Sequence, residues 1–296
     1  MALKLLLTLI IALVTGLFFL GLSRKMIARI QWRYGPPLIQ PLIDIIKLLS
    51  QKSMTHGGLF NFGLVLSLAG SVILLLFIPL GEWCIMNKSG GLLVIIYLML
   101  LAPFGTALSS GAAANPNASI GISRKLLMAL AYEVPLLLIL LTLMTYYNTI
   151  SISGIIVKQQ NAGWSLTILP LLLSGIAYIL ILPAVLGIRP FAIVKAPQEI
   201  ASGPSVEYSG KFLAFAEIQH AFQTYITIAL FVNLFLGGAS NPGYFFLKML
   251  VVFVAGILIH TVFPRFRIEQ AIKYLWRWPA LLALAGLAVV VILDKI

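Results

Sequence analysis

A helix that crosses a bilayer needs about 20 consecutive apolar residues. This chain supplies such a stretch repeatedly: Leu3–Leu22, Leu59–Leu80, Gly91–Ser110, Leu126–Tyr147, Trp164–Gly187, Phe212–Leu236, Tyr244–Phe263 and Trp276–Leu293. Backbone N–H and C=O groups cannot stand bare in hydrocarbon, so each stretch must close its own hydrogen bonds as a helix. The expected fold is an all-α integral membrane protein of about eight transmembrane helices, a single polytopic domain over residues 1–296. Composition agrees, because 61% of the 296 residues are hydrophobic and only 9% charged, against roughly 45–50% and 25% in soluble domains. A soluble domain of this length would still leave about a quarter of its chain surface in water. The first stretch has no small-residue cleavage pattern and runs directly into Arg24 and Lys25, which marks a retained anchor rather than a signal peptide.

The charges orient the spans. Of the 20 lysines and arginines, 15 fall in the first, third, fifth and seventh connections. By the positive-inside rule those loops (about 23–58, 111–125, 188–211 and 264–275) are cytoplasmic, and both termini lie outside. Lys4, Lys88, Lys158, Lys248 and Lys295 fall on the opposite side, whose loops are short; Gly237–Gly243 reads as a turn-rich connection. The net charge of +12 therefore reflects membrane orientation, and without a contiguous basic, aromatic-interleaved surface it does not indicate nucleic acid.

Several chemistries are excluded. Cys84 is the sole cysteine, so the chain has no internal disulfide and cannot alone ligate an iron–sulfur cluster or structural zinc. His56, His220 and His260 lack metal-ligand spacing. There is no phosphate loop, no GxGxxG after a strand and no spaced Ser/His/Asp set, so the chain is not expected to be catalytic alone. Neither a repeat of 20–50 residues nor inverted halves are visible, which argues against a stand-alone permease.

The unusual residues gather in the first and fifth loops and in two spans. After Tyr34-Gly35-Pro36-Pro37, Gln40, Asp44, Lys47 and Gln51 share one helical face, with Leu42, Ile45, Ile46 and Leu49 elsewhere around it. This is an amphipathic helix at the cytoplasmic interface, passive or a docking ledge for a soluble partner; Asp44 and Lys47 have the spacing to pair. Glu133 lies inside the fourth span, where a carboxylate costs roughly 2.5–3.5 kcal/mol to insert, so such residues usually face a bundle interior or a water path. In the sixth span Glu217, His220 and Thr224 form a polar stripe, led in by Glu207 and preceded by Glu199. We expect Glu133, Glu199, Glu207, Glu217 and His220 to form a proton or ion path, and Arg24, Arg29, Arg33, Asp44 and Lys47 to dock a partner. A structural carboxylate and a solvated helix start are the plainer alternatives.

Three runs resemble a known family. Arg33-Tyr34-Gly35-Pro36-Pro37-Leu38-Ile39-Gln40-Pro41 with Asp44 and Lys47 resembles the first cytoplasmic loop of the complex I subunit-1 family. Glu207-Tyr208-Ser209-Gly210 and Tyr132-Glu133-Val134-Pro135 resemble its motifs in the sixth and fourth spans. The family serves both respiratory complex I and energy-converting membrane-bound [NiFe] hydrogenases. Here Gly35-Pro36 runs almost directly into Gln40-Pro41, as in the hydrogenase branch. Where the family usually shows Pro-Phe-Asp followed by acids, this chain has Pro190-Phe191-Ala192, Lys195 and Pro197, keeping Glu199; the region around Val185, where a glutamate is usual, is apolar. The resemblance implies a prokaryotic plasma-membrane subunit that anchors a peripheral arm and couples ferredoxin-driven chemistry to proton or sodium translocation. Its implied partners are hydrogenase-like large and small subunits, a ferredoxin-like iron–sulfur subunit and antiporter-like membrane subunits. Iron–sulfur clusters and a nickel–iron centre would sit in those partners, with no cofactor on this chain. A quinone-reductase subunit, a sulfur-reductase subunit and an inert assembly scaffold are the rival expectations.

Overall fold

The computed structural model describes residues 2–80, 91–239 and 241–293; Cys84, Lys88, Ser240 and Lys295 lie outside them. The described chain forms α1 (Ala2–Ile30), α2 (Gln40–Ser50), α3 (Gly58–Phe77), α4 (Leu92–Gly111), α5 (Pro116–Tyr147), α6 (Ile152–Ala162), α7 (Leu169–Val185), α8 (Pro197–Ile200), α9 (Gly210–Phe235), α10 (Pro242–Val262) and α11 (Ile268–Leu293). A helix therefore stands at each apolar stretch. Six of them, α1, α3, α4, α5, α10 and α11, are long and apolar enough to cross a membrane. α7 is apolar but has 17 residues, about 25 Å at 1.5 Å per residue. α9 has the length, at 26 residues, but carries Glu217, Gln219, His220 and Gln223 along its first four turns. It is enclosed by other helices, and every residue from Thr224 to Phe235 is buried.

Several helices overrun their apolar stretches. α1 continues past Leu22 to Ile30, α5 begins at Pro116 rather than Leu126, and α11 begins at Ile268 rather than Trp276. Hydropathy reports only the part of a helix that lipid touches, whereas the i→i−4 hydrogen bonds continue into polar surroundings. The predicted loop over 111–125 is accordingly mostly helix. Asn115 caps α5 by accepting from Asn117 N at 2.9 Å, with Pro116 in the first turn. One of the opposite-side connections, expected only to be short, carries a helix of its own, α6. Ile152, Ile155, Ile156 and Gln159 are buried, and Gln159 Nε2 donates to the Leu234 carbonyl at 2.6 Å.

Small residues set the tightest packing. A Cβ at Gly63 would fall 2.4 Å from Ser109 N, and one at Gly105 would fall 2.4 Å from Ser67 N. α3 and α4 thus meet backbone to backbone along Gly63, Ser67, Gly105 and Ser109, the spacing that lets membrane helices approach closely. Ser67 Oγ adds a hydrogen bond to the Ala102 carbonyl at 3.0 Å. On another side, Phe19 of α1 stacks on Phe246 of α10, with centroids 5.6 Å apart and planes 5° from parallel. At the end away from the basic loops, Lys248 closes α9 by donating to the Leu236 and Gly238 carbonyls, both at 2.6 Å. Its ammonium also lies over the rings of Trp164 and Tyr244, at 5.3 and 4.8 Å.

Candidate functional site

All the predicted site residues except Glu133 are brought to one end of the bundle, but as separate groups. On α2, Asp44 does not pair with Lys47 as the i, i+3 spacing suggested. Arg24 Nη1, reaching from the overrun of α1, binds Asp44 Oδ2 at 2.9 Å, and Gln40 Nε2 donates to Asp44 Oδ1 at 2.8 Å. Arg24 reaches across from a neighbouring helix, and its planar guanidinium suits the geometry of a carboxylate. The Gln40 amide, and after it the Arg24 guanidinium, hold the Asp44 carboxyl below the usual carboxylate range. Ile45 is buried on the Leu17, Ala214 and Ala221 cluster, while Leu42, Ile43, Ile46 and Leu49 are exposed, as an interfacial helix requires. Arg29 lies over the Tyr34 ring at 5.2 Å. Around it Trp32 is 98% exposed and Tyr34 86% exposed, beside exposed Arg33.

Glu207 is held elsewhere. His56 Nε2 lies 3.0 Å from its Oε2, and Asn115 Nδ2 donates to its Oε1 at 2.6 Å. The turn that delivers it depends on Gly210, whose φ is +49°; a Cβ there would fall 2.7 Å from the Lys52 carbonyl oxygen. Met54 N donates to Ser209 Oγ at 3.0 Å and ties the first loop to the start of α9. Glu199, on α8, accepts from Arg124 Nη1 at 2.8 Å and has Arg265 Nη1 at 3.8 Å. The Arg124 hydrogen bond, then its charge and that of Arg265, hold the Glu199 carboxyl below its ordinary value. This pair borders an open 840 Å³ cavity also lined by Arg189, Arg267 and Glu269.

Glu217 and His220 do share one face of α9. Glu217 Oε1 lies 3.7 Å from Lys195 Nζ, and its side chain is 27% exposed. On one side of Glu217, a 320 Å³ cavity between α1, α2 and α9 is lined by Arg24, Asp44 and Lys47. On the other, a 160 Å³ cavity holds His220, Lys195, Lys125, Gln219, Gln223 and Tyr132. A 40 Å³ cavity shares His220 and reaches His260. His260 Nδ1 itself accepts from Arg189 N at 2.7 Å.

Glu133 stands apart from all of these. It is half-buried on a flank of α5, beside the exposed Leu130, Val134 and Leu137, and lines none of the cavities described above. Among the described residues it has no hydrogen-bond or ion-pair partner, whereas its neighbour Tyr132 faces the 160 Å³ cavity. Sequence reasoning missed Lys125, Gln219 and Gln223 as site members. Lys125 looked like an orientation charge, and amides in an apolar span carry little signal until a cavity is seen beside them. Among the described residues no group of three or more His, Cys, Asp or Glu side chains is arranged to hold a metal.

A family model described as NADH dehydrogenase matches residues 3–291. A membrane-complex relative, one of the subunits of NADH-quinone oxidoreductase in Neisseria meningitidis, is 30% identical, over 92% of this chain and 83% of that one. The NADH-ubiquinone oxidoreductase chain 1 of Zaedyus pichiy is 31% identical, over 96% and 94%. Among solved structures, a chain of the membrane-bound sulfane sulfur reductase, an archaeal respiratory membrane complex, superposes with a TM-score of 0.94 at 38% identity, covering 97% of this chain and 98% of that one.

Proposed function

This chain belongs to the NADH dehydrogenase subunit-1 family of multi-pass membrane proteins, and from that premise we propose that it serves a hydrogenase-type or sulfur-reducing membrane complex rather than a quinone reductase. The observation that carries this reading is the 38% identity with the archaeal sulfane sulfur reductase chain at nearly full mutual coverage, against 30% and 31% with the two quinone-reducing relatives. The chain anchors a peripheral electron-transfer arm and turns a redox event there into ion movement. Arg24, Arg29, Arg33, Asp44 and Lys47 form the docking ledge, and the exposed Trp32 and Tyr34 beside them favour it, since such groups are enriched where proteins meet. Glu217 and His220 form the inner part of the ion path. Glu199 and Glu207 flank its mouth, and Glu133 faces a neighbouring membrane protein of the complex. Iron–sulfur clusters, and any nickel–iron centre, reside in the hydrogenase-like and ferredoxin-like partners; antiporter-like subunits continue the membrane arm.

Hydrogen evolution at nickel–iron is one reaction of that branch, and sulfane sulfur reduction is the second reading, favoured by the archaeal chain's likeness. Purification of the intact complex, with assays of nickel content and of ferredoxin-driven hydrogen, sulfide and quinol formation, tests both. Stoichiometric nickel with hydrogen evolution identifies the hydrogenase; sulfide formation identifies the sulfur reductase. Rapid quinone reduction overturns the proposal.

A further inference from the structure

The 160 Å³ cavity beside α9 has an unusual electrical character. Its polar wall is Lys125, Lys195, His220, Gln219, Gln223 and Tyr132, and no aspartate or glutamate among the described residues lines it. Glu217 is ion-paired with the outward-reaching, 56% exposed Lys195 at 3.7 Å and borders the adjoining cavity, which Arg24 and Lys47 also line. Lys125 has no ion pair or hydrogen bond among the described residues and lines the same cavity as Lys195. The Tyr132 hydroxyl likewise has no partner among them, and the Gln223 Oε1 atom is buried without a donor.

Lys125 and Lys195 give this concave wall an excess of positive charge, which the single pairing of Lys195 with Glu217 offsets only in part. An ammonium withdrawn from water is tolerated when an opposite charge accompanies it. The space is sufficient: 160 Å³ far exceeds the roughly 10–15 Å³ that one water requires. An anion seated there would have the Lys125 and Lys195 ammonium groups and the Tyr132 hydroxyl as donors in the lining, and a water beside it would supply the donor that Gln223 Oε1 lacks.

We infer that the cavity formed by Lys125, Lys195 and Tyr132 is a binding site for one compact monovalent anion of the chloride or hydrosulfide type. This goes beyond the proposed function and holds whichever reaction the partner subunits perform. Its place one helical turn from Glu217, through His220, makes the anion a fixed counter-charge for the ion path.

Equilibrium dialysis of the purified complex against radiolabelled chloride, in gluconate at constant ionic strength, tests the site. One saturable site per chain is expected, with hydrosulfide competing; whichever of the two binds at lower concentration identifies the occupant. Lys125→Gln should weaken binding about tenfold or more, the scale of a lost charged hydrogen bond, and Lys125→Arg should restore it. If Lys125→Gln fails to assemble, Tyr132→Phe removes one donor without altering charge and should weaken binding several-fold. Absence of saturable chloride and hydrosulfide binding to the wild-type complex, or binding unchanged in Lys125→Gln or Tyr132→Phe, overturns the inference.

Discussion

The carboxylates at the basic end of the bundle are kept apart by their surroundings. Asp44 is held ionised by Gln40 and Arg24. A group whose native pKa is depressed contributes stability that is complete above the ordinary carboxylate value of about 3.9 and lost as pH falls through the lower native value. Asp44→Asn is therefore expected to cost about 0.5 kcal/mol or less near neutrality, because both partners are well exposed. It should also flatten the loss of α2 docking below about pH 4, read as protease susceptibility of the first loop. Glu133→Gln should lower ion pumping by the complex while leaving electron transfer to an artificial acceptor nearly intact; equal loss of both would assign Glu133 a structural part. The sequence already singled out both residues, since a carboxylate in or beside an apolar span is conspicuous. It did not reveal Arg24 as the partner of Asp44, because that pair joins positions twenty apart on different helices. Nor could it separate Glu199, Glu207 and Glu217 into three groups, because loop closure decides which basic residue reaches each one.

Helices show the same division between pattern and placement. The spacing of Gly63 and Ser67, and of Gly105 and Ser109, is plain in the sequence, but that these two pairs face each other is a tertiary fact. Gly105→Val would drive side-chain atoms into the Ser67 backbone, which a Cβ already approaches at 2.4 Å. Overpacking of this kind costs about 1–3 kcal/mol or more where the obstacle is main chain, and should appear as lowered complex yield and thermal midpoint. Lys248→Met should loosen the end of α9 by removing two charged hydrogen bonds, a loss of about 1.5–3 kcal/mol each at most, seen as faster amide exchange from Phe235 to Gly238. α6 escaped the sequence reading because eleven residues are too few for a hydropathy window, and its four buried positions make sense only against α9. The overruns of α1, α5 and α11 escaped for a complementary reason: their polar turns leave lipid without leaving the helix.

At the scale of the molecule, the eight apolar stretches and the strong charge asymmetry made the architecture legible from the amino acids. The motifs around Gly35, Glu133 and Glu207 made the family legible as well. What they could not disclose was how the polar groups connect, which depends on cavities between α1, α2, α5 and α9. One property of α9 governs what the chain can do unaided. Beyond Thr227 the helix packs Ile228 through Val232 at no more than 2% exposure, roughly 7 Å of hydrocarbon along its axis. On the ion path proposed above, a charge admitted beside Glu217 would meet a closed end. On that proposal its onward course would be sideways, across a seam into an adjoining protein, so vesicles containing this chain alone should keep their voltage, and conduction should begin when the neighbour is supplied.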